Sequence, residues 1–227
     1  MSKYKIILLD IDDTILDFKK CEVNAITKTI CNYGISATEE LTNRYSEINQ
    51  SLWKAFERKE ITKPELLTKR FEMFFNPLGV YENSEEINKI YLDYLSNETF
   101  LIPGAIELLE ALKEYKVYVV TNAVARVQNS RLSKAGLYDY FDDVFVSELI
   151  GYQKPDVRFY NDIYKLIGSP RKEDIIVLGD SLSSDIQGGI NFGVDTCWFN
   201  PHHKKSDVIK ANYEIDNLLD FLKIIEK

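Results

Sequence analysis

The chain is poor in cysteine. It has three, Cys21, Cys31 and Cys197, and no Cys-x-x-Cys pair. An odd, scattered set offers no zinc site and fits a reducing compartment. The chain also lacks a surplus of basic charge: 28 Lys and Arg stand against 36 Asp and Glu, for a net charge of −8. Binding a nucleic-acid polymer rests on neutralising phosphates with Lys and Arg, so DNA or RNA is not the expected partner. One small anion in a locally positive pocket stays compatible with that balance. Long apolar runs are missing too. Only Ile6–Leu9 precedes Asp10 as a continuous apolar run, too short for a signal-peptide core. No stretch approaches the ~20 apolar residues of a membrane helix. No repeat or low-complexity segment is visible. A soluble, cytoplasmic protein without a membrane partner is expected.

What is present is ordinary for a globular protein: 45% hydrophobic, 28% charged and 12% aromatic residues. At 227 residues the chain makes one or two domains with a sizeable core. Residues 5–9 form a short apolar run of the kind that becomes a strand covered on both faces. Similar runs recur as VYVV (117–120), VFV (144–146), IIVL (175–178) and TCWF (196–199). Helical patterns lie between them, such as AIELLEALKEY after Pro103-Gly104 and FYNDIYKLIG before Ser169-Pro170. This alternation predicts βαβ units and a doubly wound parallel α/β sheet, with ligand sites outside the carboxyl ends of its strands. The interval from Leu9 to Val117 is far longer than one crossover of about a dozen residues. Its pattern is helical, with caps expected at Thr38 and Thr62. Residues 18–100 are therefore read as an inserted helical domain, and residues 1–17 with 101–227 as the α/β core. The closing segment DNLLDFLKIIEK reads as a helix with Asp216 as its N-cap.

The stretch IILLDIDDTILDF (6–18) places four acidic residues in thirteen positions against a buried-looking strand. Such crowding is unfavourable unless a cation lies among the carboxylates. The proposed strand ends supply Asp10, Asp12 and Thr14, then Thr121 and Asn122, then Lys154 a short loop later, then Asp180 and Asp185. A parallel sheet gathers them at one edge. Hard oxygen ligands there suit Mg²⁺. A carboxylate can attack phosphorus to form an aspartyl-phosphate, and Thr121, Asn122 and Lys154 supply donors for the phosphoryl oxygens. A second carboxylate two residues on can serve as general acid and base.

DIDDT after an apolar strand, VVTNA, the lysine of KP and GDSLSSD, in that order, resemble the four motifs of the haloacid dehalogenase (HAD) superfamily across nearly the whole chain. The resemblance implies a Rossmann-like core with a helical cap. By it, Asp10 is the nucleophile and a metal ligand, and Asp12 is the general acid/base whose backbone carbonyl binds Mg²⁺. Thr121 and Asn122 hold the phosphoryl group, and Lys154 tethers nucleophile and phosphate. Asp180 ligates the metal, and Asp185 supports the metal site or Lys154. Segments 51–71, 127–141 and 183–200 are similar to the bacterial HAD-type pyrimidine nucleoside 5′-monophosphatases. That implies a small phosphate monoester as substrate. A monomer or homodimer is expected. Ala123 and Lys59 stand where such proteins often have glycine.

The name-giving dehalogenases need no Mg²⁺ and carry a non-acidic residue where Asp12 stands, so Asp12 argues against dehalogenation. A sugar phosphomutase, a phosphatase of other small esters and a non-catalytic nucleotide sensor are the alternatives. Asp185 has a plainer reading as the N-cap of IQGGINFG. Trp53, Phe56, Phe71, Phe74 and Phe75 read mostly as core, and His202-His203 as a solvated loop.

Overall fold

The computed structural model describes residues 3–226. Six strands, β1 (Ile6–Leu9), β2 (Lys116–Thr121), β3 (Asp143–Val146), β4 (Ile175–Gly179), β5 (Asp195–Phe199) and β6 (Tyr213–Ile215), form one sheet in the order β3-β2-β1-β4-β5-β6. Every neighbouring pair is parallel. The order is doubly wound and reverses between β1 and β4, the switch point where such sheets open a crevice. All residues of β1 and β4 are buried, which explains why they read as unbroken apolar runs rather than alternating ones.

The helices in chain order begin with α1 (Phe18–Asn32), α2 (Glu39–Glu57), α3 (Lys63–Phe75) and α4 (Ser84–Leu95). They continue with α5 (Ala105–Ala111), α6 (Ala125–Lys134), α7 (Ser147–Ile150), α8 (Val157–Leu166), α9 (Gln187–Phe192) and α10 (Asp220–Ile225). A π-type turn, Leu182–Ile186, leads into α9. Contacts divide the chain into two compact units. One runs to Asp17 and resumes over Leu101–Ala125 and from Ala135 onward; the other is Phe18–Phe100 with Arg126–Lys134.

In the first unit, Ile6, Leu8, Val120, Phe145, Phe159, Tyr160, Ile163, Ile175, Val177 and Phe192 pack into one cluster. Helix α9 lies hard against the sheet because Gly189 has no side chain: a Cβ there would collide with Thr196. The two stretches that lead to and from the insert run side by side, joined by an antiparallel bridge Leu16↔Leu101 and by the Ile102 N–H donating to Ile15 O at 2.9 Å.

In the second unit, α1 packs on α2 and α4, and α3 on α2 and α4. Tyr45, Phe71, Phe74, Phe75 and Tyr91 pack on one another edge to face, stacked or tilted. A polar thread crosses the unit with one residue from each helix. Asn49 donates to Glu22 at 2.6 Å, and Arg70 donates to Asn49 at 3.0 Å and to Asn88 at 2.8 Å. Thr38 caps α2 through the Leu41 N–H, and Thr62 with Glu65 forms a reciprocal capping box on α3.

Two local expectations need correction, and one strand was not read in the sequence. Asp216 is not a helix cap: α10 starts at Asp220, and the Asn217 side chain takes the Leu219 N–H at 2.9 Å, forming the turn that precedes the helix. The segment AIELLEALKEY does not stay helical to its end, since α5 stops at Ala111 and a turn closes from the Tyr115 N–H to Leu112 O. Strand β6 carries an exposed Glu214 between its flanking residues and spans three residues, so it gives no apolar run to read.

Candidate active site

Asp10 is the first residue beyond β1 and is buried, with its N–H held by Leu178 O of β4 at 2.9 Å. The chain then turns sharply. The N–H groups of Thr14, Ile15 and Leu16 all converge on Ile11 O, and Asp13 adopts a left-handed φ of 60°. Aspartate tolerates that region better than most residues because its short side chain bonds locally. The buried Thr14 hydroxyl donates to Asp10 Oδ2 at 3.4 Å.

Lys154, 2% exposed, reaches under the strand ends. Its ammonium donates to Asp10 Oδ1 at 2.6 Å, to Asp185 Oδ1 at 2.6 Å and to Val120 O at 2.7 Å. All three of its protons are thereby used. Its backbone is clamped in turn: the Lys154 N–H donates to Asn122 Oδ1 at 2.9 Å, and Asn122 Nδ2 donates to Lys154 O at 3.0 Å. The Asn122 carboxamide thus braces the lysine. Thr121 ends β2 with its hydroxyl oxygen accepting the Ala123 N–H at 3.1 Å. Ala123 keeps a negative φ, so the missing glycine puts no left-handed strain on this loop.

Asp185 is not the N-cap of α9. Its Oδ2 accepts the Ser181 N–H at 3.0 Å while Oδ1 pairs with Lys154. It fits only because position 179 is glycine, where a Cβ would collide with the carboxyl group. Asp180 follows β4, and its carbonyl is held by the Trp198 indole N–H at 2.8 Å. One carboxylate oxygen from each of Asp10, Asp180 and Asp185 lies within 4.8 Å of the others. The Asp12 carboxylate, half-buried, stands outside that trio. His202 and His203 are exposed.

Charge is out of balance here. Burial first, then Asp185 and Asp12, push the Asp10 carboxyl up against the pull of Lys154. Burial, then Asp13, Asp185 and Asp10, push Asp180 well up. Burial opposes the charge on Lys154, yet Asp10 and Asp185 outweigh it and hold the ammonium above the usual lysine range. The lysine and Asp10 point in opposite senses, and the three short donor bonds decide for a charged lysine. What remains is surplus negative charge on a cluster of hard oxygen donors, the environment that suits Mg²⁺.

Thr14, expected at the first strand end, does stand against Asp10. Other contributors escaped the sequence reading. Val120 O and the Ser181 N–H support the cluster, and Glu148 on α7 accepts the Ala125 N–H at 2.8 Å. Only the parallel register Thr121↔Val146, which brings those two loops together, gives a hint of Glu148.

The haloacid dehalogenase-like hydrolase family matches residues 4–193. The chain is 37% identical to the pyrimidine 5′-nucleotidase PynA of Streptococcus pneumoniae, covering 99% of this chain and 96% of the relative. It is 29% identical to the pyrimidine 5′-nucleotidase YjjG of Escherichia coli, over 96% and 98%. The crystal structure of the putative HAD-hydrolase YfnB from Bacillus subtilis, bound to magnesium, superposes with a TM-score of 0.94 at 36% identity, over 99% of this chain and all of that one.

Proposed function

The chain belongs to the haloacid dehalogenase-like hydrolases, and from that premise we propose that it is a Mg²⁺-dependent phosphomonoesterase whose substrates are pyrimidine nucleoside 5′-monophosphates. The observation that carries the reading is the buried lysine bridging Asp10 and Asp185 at 2.6 Å each, with Asp180 completing a carboxylate trio. The choice of pyrimidine nucleotides rests on the two nucleotidase relatives.

Asp10, Asp180 and the backbone carbonyl of Asp12 would hold Mg²⁺, with Asp185 supporting them. When bound, the ion supplies positive charge opposite the oxygens on which charge develops. Asp10 attacks phosphorus, forming an aspartyl-phosphate as the bond to the ester oxygen breaks. Asp12, protonated, gives its proton to the departing alkoxide. It then takes a proton from water, whose oxygen attacks phosphorus; the bond to Asp10 breaks and inorganic phosphate leaves. Lys154 aims the nucleophile, because three fixed acceptors leave its ammonium one position. The Thr121 hydroxyl donates to a phosphoryl oxygen, and Asn122 acts through the lysine backbone it grips.

Phosphate release from UMP, TMP and p-nitrophenyl phosphate tests this, measured with Mg²⁺ and with EDTA. Release that needs the metal and favours the nucleotides is expected. Equal background rates under both conditions would overturn the reading.

A further inference from the structure

We infer that Glu148 is a positioning residue for the anion-binding loop, one half of a reciprocal clamp whose other half is Asn122; this rests on the phosphatase reading. Strands β2 and β3 end side by side, with Thr121 paired to Val146. Two loops leave the sheet there, one carrying Thr121 and Asn122 into α6, the other carrying Glu148 and then Lys154. Each loop holds the other by a side chain on a backbone. Asn122 grips the N–H and C=O of Lys154 at 2.9 and 3.0 Å. Glu148 takes the Ala125 N–H at 2.8 Å.

The second grip has a sequence-level cause. A helix start leaves N–H groups without partners, and a Ser, Thr, Asp or Asn just ahead of it normally takes one. Ala123 and Val124, which precede α6, carry no side-chain oxygen. Glu148 supplies that oxygen from the neighbouring loop, and its negative charge suits the helix terminus. Because Ala125 closes the short stretch that begins at Thr121, fixing its N–H limits where the Thr121 hydroxyl can stand relative to the Lys154 ammonium. Glu148 is not one of the carboxylate trio.

The test compares Glu148→Ala, Glu148→Asp, Glu148→Gln, Asn122→Ala and the double variant Glu148→Ala/Asn122→Ala. All are assayed on p-nitrophenyl phosphate with Mg²⁺, with thermal melts run in parallel. Glu148→Ala is expected to lower kcat about tenfold with KM little changed, because a misplaced donor weakens the transition state more than binding. Glu148→Gln keeps an acceptor oxygen and restores most of the rate. Glu148→Asp keeps the charge but shortens the reach, and shows the same loss should the alanine variant not fold. The double variant should lose less than the product of the single losses, since either one frees the same pair of loops. An unchanged kcat in a folded Glu148→Ala or Glu148→Asp variant, or single losses that multiply, overturns the inference and leaves the phosphatase reading standing. An unsubstituted chain that releases no phosphate sinks that reading instead.

Discussion

Lys154 and Asp10 form an ion pair of 2.6 Å in which both side chains are almost fully removed from solvent. Desolvating both charges costs more than a surface pair returns, and removing one partner of a buried pair is destabilising by about 3–5 kcal/mol. Lys154→Met is therefore expected to unfold at lower temperature in EDTA, because it strands Asp10 and Asp185 without their cation. Added Mg²⁺ should recover part of the loss, and phosphate release should fall by about two orders of magnitude or more. Melting curves with and without metal check the stability, and a phosphate-release assay checks the rate.

Gly179 sets the room for Asp185. In Gly179→Ala the new methyl group would collide with the Asp185 carboxyl. Overpacking of this kind typically costs about 1–3 kcal/mol. The displaced carboxylate also loosens its hold on Lys154, so a lower kcat is expected to accompany a lower melting temperature. An alanine variant with unchanged kcat would show that the tight fit has no bearing on turnover.

The strand ends were legible in the sequence because buried parallel strands read as apolar runs, and carboxylates directly after such runs stand out. Thr38 and Thr62 were legible for an equally local reason, a capping oxygen before an acidic first turn. The rest depends on partners distant in sequence. Glu148 meets Ala125 across 23 positions, and the thread from Glu22 through Asn49 to Arg70 exists only once the helices pack. Asp216 and Asn217 compete locally, and composition does not say which of them takes the N–H. The clamp of Asn122 on Lys154 likewise needs adjacent strand ends, which is why Asn122 reads in the sequence as an open donor.

Lys59 carries the cost of a missing glycine. Its φ of 62° is left-handed, in the turn where the Lys59 N–H reaches Phe56 O and the Glu60 N–H reaches Ala55 O, both at 2.9 Å. A side chain in that region costs about 1–2 kcal/mol, partly offset by the greater freedom of glycine in the unfolded chain. Lys59→Gly should therefore stabilise the chain by up to about 1 kcal/mol. Denaturant unfolding reads the gain.

Glu22 is buried in the second unit, and burial pushes its carboxyl up despite donors from Ser46 and Asn49 and the nearby Arg70 charge. A raised folded-state pKa means that the native state holds a proton the unfolded chain has released. Stability from this group is therefore present below the ordinary glutamate range and is lost as pH rises toward the raised value. Glu22→Gln removes that dependence. The melting temperature of the variant minus that of the unsubstituted chain should grow as pH rises from the ordinary glutamate range. A difference independent of pH contradicts it.

The most direct measurement is an acid quench during turnover of UMP with Mg²⁺, followed by peptide mapping. The expected result is a phosphoryl group on Asp10, absent from Asp10→Asn, which folds but releases no phosphate. A phosphoryl group found on another residue, or an Asp10→Asn variant that turns over normally, would contradict Asp10 as the nucleophile.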